Sequence, residues 1–297
     1  MPDGTRKTIG STDATRGCKH RCRHCPIVPV YQGQFRVVPI DVVMADIRAQ
    51  VAAGAEHISF GDPDFLNGPV HARRVIEHVH REFPTLTYDV TIKIEHLLRH
   101  ADMLGLLGST GCLFVTSAVE SIDDEVLARL RKGHTRADFV RAVDACRSAG
   151  LTLSPTFIPF TPWTTPAGYV ELLDLLAQLD LVSEVAPIQL AIRLLVTADS
   201  PLLELPDVRA RTAAFDAASL AWPWTHADPA VDALQQEVMG IVHRGAATSR
   251  VELFGEIAAV ARARADMPAR IDVPMNARAV PYVSEPWYCC AEPMEIV

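Results

Sequence analysis

The chain has 297 residues, 49% of them hydrophobic, with 28 Lys and Arg against 36 Asp and Glu and a formal net charge of -8. This length and composition supply a substantial core, which excludes a disordered chain and predicts one large α/β domain or two smaller ones. The acidic balance argues against a general nucleic-acid binder, and no run of about 18 apolar residues predicts a membrane span.

The opening MPDGTRKTIGSTDATRG lacks the apolar run of a signal peptide, so a soluble cytoplasmic protein is expected. In chain order, a polar strand at about 8 to 16 leads into CKHRCRHC, residues 18–25. DVVMADIRAQVAAG has helical spacing and HISF reads as a strand. A helix near 69–82, strand TYDVTIKI, a helix near 96–108 and strand CLFVTS follow. Helices near 122–131 and 136–149, strand LTLSPTFI, a helix near 166–180 and strand IQLAIRLL complete the alternation. Strand-then-helix repetition predicts parallel βαβ units, curled into a partial (βα)6 barrel of the TIM type, with chemistry at the carboxyl ends of the strands. After Asp199 the rhythm stops. Helices are expected near 208–219, 229–243 and 251–265, then a proline-punctuated tail. The expected division is therefore a barrel over 1–199 and a helical extension with a cysteine-bearing tail over 200–297.

Seven cysteines without an export signal read as ligands, reactive thiols or core residues rather than disulfides. Cys112 and Cys146 lie in apolar patterns and read as core. Cys18, Cys22 and Cys25 are soft donors in a compact C-x3-C-x2-C, which suits zinc or an iron-sulfur cluster. A zinc site would need His20, His24 or a tail cysteine to complete it. Three thiolates on a cubane leave one iron without a protein ligand, since full ligation takes four cysteines.

This motif, directly after the first strand of a six-fold βα pattern, resembles that of the radical SAM superfamily. The resemblance implies a [4Fe-4S] cluster on Cys18, Cys22 and Cys25, S-adenosylmethionine on the free iron, and reductive cleavage of a carbon-sulfur bond. It puts His24 near the adenine. FGDPDFLNGP, where the family commonly has Gly-Gly-Glu, makes Gly61, Asp62 and Asp64 expected cofactor contacts, the glycine because close backbone approach excludes a Cβ. SAVESIDDEVLARLRKGHT implies Ser117 and Glu120 near the ribose or methionine; the alternative reading of SIDDE is a helix cap, with Ser121 at the N-cap. Lys93, Glu95, His96 and Arg193 are expected near the mouth. Lys19, Arg21 and Arg23 read either as a dock for a flavodoxin or ferredoxin or as a solvated loop.

The end of the chain, PWYCCAEP, is similar to the signature of a radical SAM group named for its CCAEP or selenocysteine-containing CUAEP tail. Adjacent Cys289 and Cys290 cannot close an unstrained bridge, but they can chelate a soft atom or act as a redox pair. Trp287 and Tyr288 offer an apolar anchor. The leading expectation is transfer of a 3-amino-3-carboxypropyl, methyl or adenosyl fragment to trivalent arsenic, sulfur or selenium held by Cys289 and Cys290, organoarsenical synthesis being one case. The alternatives are 5'-deoxyadenosyl hydrogen abstraction with the tail thiols as donors, and a non-catalytic zinc or metalloid sensor.

Overall fold

Short apolar runs alternating with amphipathic stretches build a parallel sheet in the computed structural model, which describes residues 1, 3–245, 248–269 and 279–282. The strands are β1 (Ile9–Thr12), β2 (Thr15–Gly17), β3 (Phe35–Val37), β4 (His57–Phe60), β5 (Thr87–Thr91), β6 (Cys112–Glu120) and β7 (Thr152–Phe157). The first helices are α1 (Val28–Tyr31), α2 (Ile40–Ala52), α3 (Pro69–Glu82), α4 (Ile94–Arg99), α5 (Asp102–Ser109) and α6 (Asp124–Leu130). They are followed by α7 (Arg136–Ser148), α8 (Pro166–Gln178), α9 (Pro206–Arg209), α10 (Pro229–Arg244) and α11 (Arg250–Arg264).

β1-β4-β5-β6-β7 form one parallel sheet, because a helix after each strand carries the chain back to the same end. The single strand expected at 8–16 is instead two. Asp62 accepts hydrogen bonds from the Ala14 and Thr15 amides at 2.9 and 2.6 Å, and β2 turns away to pair antiparallel with β3. The cysteine loop is thereby strung between β2 and α1. The sixth strand is likewise reduced: Pro187–Leu190 is a 3-10 turn, and a parallel bridge from Arg193 to Phe160 stands in its place. Proline removes a ladder donor at the start of that run.

Helices α6, α7, α8, α10 and α11 start where side-chain oxygens cap free amides. Thr135 and Asp138 form a capping box on α7, and Ser249 and Glu252 form one on α11. On α6 the cap is Asp123, which accepts from the Glu125 and Val126 amides; Ser121 accepts only from Asp123 N, because the helix begins later than its sequence suggested. Gly111, at φ +98°, turns α5 into β6 where a Cβ would stand 2.9 Å from Leu86 O, so both the conformation and the space require glycine. The helix expected at 96–108 is two, α4 and α5. That expected at 208–219 stops at Arg209: Thr212 bridges Trp224, and Asp216 bridges Ala221 while its carboxylate accepts from the Ala218 and Ser219 amides.

Val43, Met44 and Ile47 of α2, Val75, Ile76 and Val79 of α3, and the strand interiors form a buried core. The core continues into α10 and α11 through Leu234, Val238, Ile241, Phe254 and Ile257. Cys112 and Cys146 lie in this core, and burial pushes the Cys146 thiol up to about 12. Among the described residues no helix is long and apolar enough to cross a membrane.

Candidate active site

The cysteine loop lies across the carboxyl ends of β4, β5 and β6, and it is held there by hydrogen bonds from distant segments. Asn67, 3% exposed, donates to Gly17 O at 3.2 Å and accepts from Lys19 N at 3.3 Å, while its Oδ1 lies 3.6 Å from Cys18 Sγ. At the other end of the loop, Arg23 donates its amide to Leu130 O and its guanidinium to Arg129 O, satisfying carbonyls left free at the end of α6. Arg21 donates twice to Gln32 O, and Lys19 Nζ donates to Asn67 O. The loop's basic residues thus shape the loop itself.

Among the described residues, Cys18, Cys22 and Cys25 form no disulfide. Burial, assisted by the Asp64 carboxylate, raises the Cys18 thiol, so without a metal it stays protonated; coordination would deprotonate it. Three soft donors on one short loop fit a cluster one protein ligand short of four. His20 and His24, the histidines that could complete a zinc site on the cysteines, each turn a nitrogen toward other groups. His24 Nε2 lies 3.0 Å from Glu120 Oε1, and His20 faces His96 and Asp64.

Glu120 is the most constrained residue of the mouth. It ends β6 at φ +69°, where the register with β7 shifts, a left-handed conformation that costs a non-glycine residue about 1–3 kcal/mol. Its carboxylate, 4% exposed, contacts both His24 and Lys132 Nζ, the latter at 3.3 Å. Burial opposes ionisation, but Lys132 and the His24 hydrogen bond outweigh it and hold the carboxyl at about 2. Burial lowers His24, and its Nδ1 has no hydrogen-bond partner among the described residues. His134 is similar: burial and Lys132 bring it to about 4, and neither ring nitrogen has a hydrogen-bond partner there. A cleft lined by Glu120, Ser121, Pro159, Trp163, Tyr169 and Leu172 opens beside Glu120, with Arg129 stacked 5.2 Å over Trp163.

The other expected contacts divide. Asp64 and Lys93 are buried at the mouth, Lys93 Nζ lying 3.7 Å from Glu95 Oε2. Asp62 has its oxygens occupied by Ala14 and Thr15, and burial still raises its carboxyl to about 6 against those bonds. A Cβ on Gly61 would meet Asp13 Oδ1 at 2.6 Å, so its local crowding comes from a side chain of the protein. Ser117 donates to Ile92 O at 2.6 Å. Arg193 bonds Asp232 and Trp224 O and stacks 3.7 Å over the Trp224 ring, tying the sheet's end to α10. Cys289 and Cys290 lie outside the described residues. Sequence reasoning passed over Asn67, Lys132 and His134. For the latter two the available signal was RKGHT, a basic run directly after a helix that begins at the mouth.

The radical SAM superfamily model matches residues 13–176, more than half of the chain. The hopanoid C-3 methylase of Methylococcus capsulatus is 26% identical over 160 residues, 54% of this chain and 30% of that protein. A tRNA-2-methylthio-N(6)-dimethylallyladenosine synthase of Sorangium cellulosum is 30% identical over 191 residues, 55% of this chain and 37% of that protein. The chain thus spans well under half the length of these relatives. Among solved structures, the cobalamin-dependent S-adenosylmethionine radical enzyme OxsB superposes with TM-score 0.68 at 15% identity, covering 79% of this chain and 41% of that one. The radical S-adenosylmethionine methyltransferase TsrM from Kitasatospora setae gives 0.58 at 22%, covering 70% and 40%. TsrM has also been seen with a [4Fe-4S] cluster bound. The family uses that cluster together with S-adenosylmethionine, and the three thiols of the loop carry the donor set it needs. This chain belongs to the radical SAM superfamily.

Proposed function

We propose that the chain is a transferase of the CCAEP-tail radical SAM group, moving a fragment of S-adenosylmethionine to a soft atom held by Cys289 and Cys290. The observation that carries the reading is one chain with both a three-cysteine cluster loop and a vicinal dithiol. Relatives named as a methylase and a methylthiolating synthase favour group transfer over other radical outcomes. Trivalent arsenic is the preferred acceptor, because two neighbouring thiolates chelate it and leave a lone pair for a new carbon bond; sulfur and selenium species are the other candidates. A net charge of -8 argues for a small substrate rather than RNA.

Residues 1–199 carry the chemistry in this reading, and residues 200–297 present the substrate. Bound on Cys18, Cys22 and Cys25, the cluster would supply the electron for cleavage of a carbon-sulfur bond, delivered by a flavodoxin or ferredoxin of the cytoplasm. Glu120, kept ionised by Lys132 and His24, accepts hydrogen bonds from the cofactor's ribose or methionine amine. The cleft beside it, walled by Trp163 and Pro159, takes a flat adenine. Lys93, buried at the mouth, pairs with the cofactor carboxylate.

The test is product analysis of the anaerobic, cluster-loaded protein with S-adenosylmethionine, a strong reductant and arsenite. Transfer of a 3-amino-3-carboxypropyl group releases 5'-methylthioadenosine and yields an organoarsenical, and a Cys289→Ser, Cys290→Ser variant should lose the arsenical. Full turnover by that variant would sink the reading. Release of 5'-deoxyadenosine with no arsenic-carbon bond would favour hydrogen abstraction instead.

A further inference from the structure

A second group of ligand-type side chains meets at the mouth, on the opposite side of the loop from His24. Asp64 follows β4 and caps the 3-10 turn at Phe65–Asn67 through Oδ1, which accepts from Leu66 N, and this leaves Oδ2 inside. His96 lies in the first turn of α4, and both side chains are fully buried. His20 comes from between Cys18 and Cys22 and is 17% exposed. One nitrogen from each ring and one carboxylate oxygen lie within 4.8 Å of one another.

The contacts inside this group do not form an ordinary hydrogen-bonded network. His96 Nδ1 is 2.6 Å from Asp64 Oδ2, yet neither atom has a hydrogen-bond partner among the described residues. The two Nε2 atoms of His20 and His96 face each other at 3.3 Å, and His20 Nε2 is 3.7 Å from Asp64 Oδ2. Buried donors are normally satisfied, so convergence without hydrogen-bond geometry points to a missing shared partner. A cation with bonds of about 2.0–2.2 Å sets its ligands about 3–4 Å apart, and His96 Nδ1 at 2.6 Å and His20 Nε2 at 3.7 Å from Asp64 Oδ2 bracket that spacing, with one nitrogen taken from each ring. Behind His20, Glu95 Oε2 stands 3.9 Å from Nδ1, where an outer carboxylate would orient a ligating imidazole.

We propose that His20, Asp64 and His96 form a site for a divalent transition-metal cation of the zinc class, separate from the cluster on the cysteines. Two imidazoles and one carboxylate suit zinc or ferrous iron and leave coordination positions free. These positions would accept an anionic group of a molecule entering the mouth, so the ion would orient substrate beside the cysteine loop.

The test uses full-length protein carrying Cys289→Ser and Cys290→Ser, so that tail thiols do not contribute, with the cluster loaded anaerobically. The protein is titrated with Zn2+ without S-adenosylmethionine, and iron and zinc are counted together. The expected result is about one zinc per chain with iron unchanged. Asp64→Asn, which keeps the capping oxygen, and His20→Gln, on the loop surface, should each weaken zinc binding more than about tenfold at unchanged iron content. No zinc bound to the iron-loaded protein, equal binding by the variants, or iron lost as zinc enters would each overturn the proposal.

Discussion

Two buried histidine–carboxylate pairs stand at opposite ends of the same sheet. His57, the first residue of β4, and Asp89, in the middle of β5, are 2.9 Å apart, and both ring nitrogens and both carboxylate oxygens have partners. His57 Nδ1 meets Thr87 Oγ1, and Ser59 donates to the second oxygen of Asp89. His24 and Glu120, at the carboxyl end, are 3.0 Å apart, yet His24 Nδ1 has no hydrogen-bond partner among the described residues and Glu120 sits at φ +69°. The same two functional groups thus make a closed structural network at one end and a strained, incompletely used one at the other. Strain and unsatisfied buried atoms persist where something other than folding holds the sequence.

The largest effect expected is from removing each carboxylate. Glu120→Gln removes the carboxylate of a buried ion pair with Lys132 and should cost about 3–5 kcal/mol in urea unfolding. It should also weaken S-adenosylmethionine binding about tenfold or more, the equivalent of about 1.4 kcal/mol. Asp89→Asn, which removes an acceptor from a network of hydrogen bonds, should cost about 1–3 kcal/mol and leave cofactor affinity unchanged. Equal losses of cofactor affinity in the two variants would erase the contrast.

A smaller effect isolates the backbone. At φ +69° glycine carries no Cβ penalty, so Glu120→Gly should be more stable than Glu120→Ala by about 1 kcal/mol in the same unfolding experiment. At an ordinary strand position the alanine variant would be the more stable, and that order here would show that the strain is not held in solution.

The smallest effect concerns pH. His134 is brought from 6.5 to about 4 in the fold, by burial first and then by Lys132. The unfolded chain therefore binds the extra proton between pH 6.5 and 4, and the stability from keeping the ring neutral is present above 6.5 and lost as pH falls through 4. Thermal unfolding followed across that window should show a shallower decline in His134→Gln than in the natural protein. Identical slopes would remove His134 from the acid response.

Much of the architecture was legible because its signals are local. Helix α3 begins and ends where its apolar spacing and Pro69 put it, and β4 is the run HISF. The cysteine motif was legible for the same reason, three ligands within eight residues. Asp62 shows what local order does not carry, because a carboxylate after a strand looks alike in sequence whether or not it captures the amides of Ala14 and Thr15. Arg193 shows the same: an arginine at the end of an apolar run gave no sign of Trp224 and Asp232 in the extension.

By itself, then, the sequence determined the strand-helix alternation, the apolar faces that drive the sheet together, and a thiol loop able to hold a cluster. These depend on spacing over a few residues. Only the tertiary structure decided that His24 reaches Glu120 across 96 positions, or that Asp64 and His96 close on His20. Such meetings are set by the geometry of successive crossovers, which brings the carboxyl ends of separate strands to one place and leaves no trace in the local order of residues.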